Sequence, residues 1–309
     1  MTEQLFDFYQ LAALLDEFYP RLISQIDRDP DSPTYGSVDR GFWMYRLHDF
    51  DSGVLLQSSL TFAALDQLAG LGKLANLPNL SQVPPAYFKH LAEAVNRRNL
   101  MLMKKNGIVD EYYPGEQSFV ATAFAGYATL KSAILLGQTE VLESKALESA
   151  SLYYLRQHPA HPANQETAAA AFIALYSHYL SWRNDEVKEV VTRLIAREAD
   201  NGEFLEYGGG DLGYASVALN YLGYMEQDRS FPVADQLRKL ADDLSVFVTP
   251  SGRLGGEFAA RSTTYFLPFG FLQAAYLDAD FGGKFAPLEF ASIYRKLDDR
   301  YLFHYCLPA

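Results

Sequence analysis

The sequence predicts an all-α protein, an α/α-toroid of about five to six helical hairpins, and three observations predict it. Apolar residues recur at helical spacing through most of the chain. Amphipathic segments alternate with segments that are apolar on nearly every side. The apolar segments also open at a regular interval: from Ser58 to Ser118, Thr167, Tyr214 and Ser262 the steps are 60, 49, 47 and 48 residues. A repeat near 50 residues, built from one exposed and one buried helix, marks an array of hairpins. Tyr, Phe and polar residues crowd the start of each buried helix, which suits a ring closed around a polar-mouthed cavity. Residues 1–309 are expected to form one such domain, because the Pro-bearing stretch 72–85 reads as a turn between helices and not as a linker.

The first helix is expected over 5–26, where Leu5, Phe8, Leu11, Leu14, Leu15, Phe18 and Leu22 line one face. Segments 88–103, 141–156, 186–196, 234–248 and 288–302 combine charge with a single apolar face and read as outer helices. Segments 118–136, 167–180, 214–225 and 265–277 are rich in Ala and aromatics all round and read as inner helices. Each inner helix follows a loop containing Gly or Pro: Asp51-Ser52-Gly53, Tyr113-Pro114-Gly115, His161-Pro162, Gly208-Gly209-Gly210 and Gly255-Gly256. Only 202–207 and 245–249 compete as strands; the first lies in a Gly-rich loop and the second overlaps a helical stripe.

Composition excludes several classes. With 26 Lys+Arg against 38 Asp+Glu the net charge is −12, which disfavours nonspecific binding to nucleic acid or to an anionic membrane surface. The longest apolar run, 168–180, falls short of a bilayer span and is interrupted by Ser177 and His178. Asp7 interrupts the N-terminus before any long apolar run, so a soluble, cytoplasmic chain without a membrane partner is expected. The single Cys306 allows no intramolecular disulfide. His158 and His161 are three apart, but Pro159 between them prevents a regular helical face; neither metal nor cofactor is expected.

The chemistry is expected in the loops, since helix N-termini aimed at one cavity favour anionic ligands or transition states. Residues 39–50 carry Arg40, Trp43, Arg46 and His48, fitting either substrate contact or ring closure by ion pairs and aromatic packing. Glu116, in 110–118, either lines the rim or caps the next helix, and Asn164 is a candidate N-cap beside Gln165. Residues 201–214 gather Glu206, Asp211 and Tyr214 around a triple glycine, and 252–265 repeat the theme with Glu257, Arg261 and Tyr265. Paired carboxylates suit general acid/base work on a glycosidic bond, with Glu206 or Glu257 as the acid/base. Tyr214 or Tyr265 would donate a proton or stack on a sugar. Arg261 would clamp an anion, and in a β-elimination Arg261 or Gln165 would neutralise a uronate. A simpler alternative has Glu206, Glu257 and Arg261 tying adjacent loops by ion pairs.

The order Asn164-Gln165-Glu166-Thr167, then 200–206 with Asp200, Gly202 and Glu206, then Tyr214 resembles the toroid domain of heparinase II/III-like and alginate lyases. The similarity covers 164–221, and Gln165 stands where the family's Asn-His pair would put its His. The resemblance implies an α/α-toroid fold and a carbohydrate-like ligand more than a reaction; with the rim residues above, the expected function is action on a small-molecule or glycan substrate, an acidic or complex glycan, as a lyase or glycoside hydrolase. Two other classes remain open. Terpenoid cyclases and prenyltransferases also use aromatic-lined helical rings, but Asp242-Asp243 and Asp298-Asp299 lie on outer helices. A non-catalytic helical-repeat protein binding a peptide is the third.

Overall fold

The computed structural model describes residues 8–38, 51–103, 106–111, 113–156, 161–195, 206–207, 209–248, 267 and 269–278. These residues are mostly helical, and no strand occurs among them; Ile26 with Val38 and Glu206 with Gly209 form isolated bridges. Described residues from Ala12 to Arg156 fall in one compact unit and those from His161 to Asp278 in another.

The first unit is built from α1 (Phe8–Ser24), α2 (Ser58–Gly70), α3 (Pro85–Leu102), α4 (Phe119–Leu136), α5 (Thr139–Leu142) and α6 (Lys145–Leu155). Buried Asp16 on α1 reaches across 63 residues, accepting from Asn79 N at 2.9 Å and from Leu80 N at 2.7 Å, and so caps the 3-10 turn Leu80–Gln82. α2 and α4 begin side by side, with Gly53 N donating to Asp110 O at 2.9 Å. α3 runs antiparallel to α4, because Asn96 Nδ2 meets Ser132 Oγ at 3.0 Å while Asn99 Nδ2 meets Thr129 Oγ1 at 2.7 Å. The helix expected over 141–156 divides into α5 and α6. Ser144 is extended there, and its hydroxyl accepts from Leu147 N at 3.4 Å to start a new helix.

Among the described residues α4, and not the segment 168–180, is the helix that comes nearest to a bilayer span. Its 18 residues, of mean hydropathy 1.5, are long and apolar enough to cross a membrane, and most of them are buried inside the protein. That is the pattern of a core helix.

The second unit contains α7 (Ala163–Leu180), α8 (Asn184–Ile195), α9 (Leu212–Asp228), α10 (Ala234–Ser245) and α11 (Phe269–Leu277). α9 packs against both α7 and α11, α8 packs on α7, and α10 packs on α9 and α11. Leu267 N donates to Ser216 Oγ and Gly270 N to Asn220 Oδ1, each at 2.9 Å; both chains advance in the same direction, so α9 and α11 are parallel. Two amphipathic helices thus alternate with three apolar ones, as the 47- and 48-residue steps predict. α7 and α9 open earlier than expected, at Ala163 and Leu212, and α10 ends at Ser245, followed by a turn at 246–247 and a bridge residue at Val248; Thr249, the last residue of the strand considered for 245–249, lies outside the described residues. The helix expected over 288–302 lies outside the described residues.

Close helix contact explains the small residues here. Ala168, Ala169, Ala170 and Ala171 on α7 are fully buried, and a Cβ at Gly270 would collide with the Leu219 carbonyl of α9. Gly270→Ala is therefore expected to lower stability by roughly 1–3 kcal/mol in a denaturant titration, as overpacking does. Gly70→Ala, at the end of α2 where a Cβ meets open space, is expected to change stability by less than about 1 kcal/mol. Equal effects of the two would refute the close crossing.

Candidate functional site

The first turns of α7 and α9 come together around Glu206. Residues Glu206 and Gly209 exchange backbone hydrogen bonds, Glu206 N to Gly209 O at 2.8 Å and Gly209 N to Glu206 O at 2.9 Å. Tyr207, inside this tight turn, has φ of 47°, an uncommon conformation for a residue with a side chain. The turn drives the Glu206 side chain inward, where it is fully buried. Its Oε1 accepts from Asn164 N at 2.9 Å, and its Oε2 lies 2.5 Å from Asn164 Nδ2.

Asn164 was expected as the N-cap of α7, but Pro162 takes that position with extended ψ of 149°. Asn164 is the second helical residue, so its N–H has no acceptor within the helix, and Glu206 supplies one. The neighbouring Glu166 turns back and accepts from His161 N at 2.9 Å. Asp211 is the N-cap of α9, with its Oδ1 accepting from Tyr214 N at 3.0 Å. Three carboxyl groups, all buried, thus occupy one end of this helix pair.

Burial is the main cause that pushes the Glu206 carboxyl up, to about 8, and the negative charges of Asp211 and Glu166 push the same way; the Asn164 hydrogen bonds oppose them. The group therefore holds its proton near neutral pH.

Two aromatic rings pair at this turn and the start of α9, one exposed and one half-buried. The rings of Tyr207 and Tyr214 lie 5.0 Å apart at 56°, and Tyr207 is 38% exposed. Gln165 Nε2 donates to Tyr207 Oη at 3.0 Å, which ties the ring to the start of α7. Glu206, Asp211, Tyr214 and Gln165 are accordingly neighbours, as the sequence anticipates. Asn164, Glu166 and Tyr207 join them as site residues that sequence reasoning did not select. The available signal was an Asn and a Glu in the first turn of an Ala-rich buried helix, and a Tyr against a glycine run.

Glu116 belongs to the first unit. It is exposed, and its carboxylate accepts from Tyr113 N at 3.3 Å; it stabilises its own loop, while Ser118 caps α4. Next to it, burial pushes the Glu111 carboxyl up against the opposing hydrogen bond from Ser118 Oγ at 2.9 Å. Arg40, Trp43, Arg46, His48, Glu257, Arg261 and Tyr265 lie outside the described residues, as does His158. Among the described residues no group of three His, Cys, Asp or Glu side chains is arranged to hold a metal ion. Comparisons with protein-family models, curated proteins and solved structures find no match for the chain.

A carboxyl whose proton is held more tightly in the folded chain stabilises the fold at low pH. That contribution is complete below its ordinary value of 4.5 and is lost as pH rises through about 8. The thermal midpoint of the wild type should therefore fall between pH 5 and 9, by a margin equivalent to at most about 4 kcal/mol. That of Glu206→Gln should fall much less, since its amide cannot ionise. Parallel profiles would show that Glu206 ionises as an ordinary carboxylate.

Proposed function

We propose that the chain is a carbohydrate-active enzyme, of glycoside hydrolase type, with its site at the α7–α9 end of the second unit. The observation that carries this reading is the pairing of Tyr207 and Tyr214 beside a buried carboxyl, Glu206, that keeps its proton near neutral pH. Tyrosine faces provide the apolar, flat surface on which a pyranose ring stacks, and their hydroxyls offer hydrogen bonds at its edge. An acid poised near the working pH is what protonation of a glycosidic oxygen requires. A Cβ at Gly209 or Gly210 would meet nothing within 4 Å, so the turn beside Tyr207 leaves room for a ligand. Asp211, which caps α9 with one oxygen, is the nearest charged partner for a developing oxocarbenium ion.

The same reading assigns the hairpins to an α/α-toroid. Support comes from the second unit, where the apolar helices lie next to one another and the amphipathic helices pack on them.

Reducing-sugar release from a panel of glycans, run beside absorbance detection of unsaturated uronates, tests the activity and its class. Hydrolysis is expected, with Glu206→Gln lowering kcat by about 100-fold or more and Tyr207→Ala raising KM more than it lowers kcat. Activity undiminished in Glu206→Gln removes that residue from the chemistry. An unsaturated product would replace hydrolysis by elimination.

A further inference from the structure

We infer that the α7–α9 site takes a neutral saccharide and discriminates against one bearing uronate carboxylates; this rests on the saccharide reading above. The sequence alone pointed to an acidic or complex glycan, because helix N-termini attract anions. Here the protein's own carboxyls already occupy those positions. Glu206 accepts the Asn164 N–H at the start of α7, and Glu166 accepts the His161 N–H just before it. Asp211 accepts the Tyr214 N–H at the start of α9. These three donors already have carboxyl acceptors, and one N–H of the Gln165 amide, the other candidate for that role, donates to Tyr207 Oη.

The charges add to this. Asp211 and Glu166 act on Glu206 as negative neighbours strong enough to help keep its proton in place, and they would act on an incoming uronate with the same sign. A neutral ring loses nothing to that field. It can lie against Tyr207 and Tyr214, and its hydroxyls can donate to carboxylate oxygens as well as accept from tyrosine.

The test is calorimetric titration of the wild-type chain with neutral gluco-, manno- and galacto-hexasaccharides and with hexamers of galacturonic and mannuronic acid. At low salt the best neutral ligand should bind at least about tenfold more tightly than either uronate, and the gap should narrow at 0.5 M salt as screening shortens the reach of the carboxylates. Tyr207→Ala should weaken the neutral ligand, which places binding at this site. Uronate binding equal to or tighter than neutral binding overturns the inference and leaves the saccharide reading standing. A preference that salt does not narrow overturns its electrostatic basis. Binding of neither series overturns both.

Discussion

A buried helix start has N–H groups with no acceptor within the helix and no water to turn to, and the loops of this chain are arranged around satisfying them. Ser118, Ser144 and Asp211 do so locally, each accepting from the residue three positions on. Two further cases are met from far along the chain. Asp16 serves Asn79 and Leu80, and Glu206 serves Asn164 from 42 residues away. Such contacts fix which loop lies against which helix, because a buried donor left unbonded costs about 1–3 kcal/mol.

Glu206 shows how a structural need generates chemistry. A carboxylate brought in to bond a buried N–H loses its hydration, and the two other carboxyls recruited for similar duties add repulsion. The protein responds by keeping the proton. A loop anchor therefore becomes an acid held near neutral pH, beside a tyrosine pair formed by the same turn and the start of α9. Loss of the proton would strengthen the Asn164 hydrogen bonds but leave a buried charge beside two other carboxyls, and the second effect is the larger.

Between α3 and α4 of the first unit the buried contacts are made by neutral groups. Asn96 and Asn99 face Ser132 and Thr129 across α3 and α4, a ladder of amides and hydroxyls that carries no charge into the core. A buried ion pair, Asp51 with Arg98 at 2.7 Å, is completed by Ser37 Oγ and ties the segment before α2 to α3. The loop 110–118 spends Asp110 and Glu116 on nearby backbone N–H groups, with Asp110 accepting from Gly115 N at 2.8 Å and Gln117 N at 2.9 Å. Asp110 and Glu116 are thus employed within their own loop, and Glu116 is exposed, unlike the carboxyls at the α7–α9 end.

What the sequence determined by itself was the helical class, the alternation of amphipathic and apolar helices, and the placing of polar residues at the starts of the apolar ones. These follow from period and composition, which are local properties; the stripes of α8 and α10 and the all-round apolar character of α4 and α7 are visible without any partner. It also drew Glu206, Asp211, Tyr214 and Gln165 together, because they lie near successive helix starts. Tertiary structure decided what local pattern could not. It put Pro162 at the cap and left Asn164, the second helical residue, needing an acceptor, it divided 141–156 at Ser144, and it turned Glu116 onto its own loop. Above all it buried Glu206, and burial sets whether a glutamate is a solvated charge or a held proton, which depends on neighbours 42 residues away and not on the residues beside it.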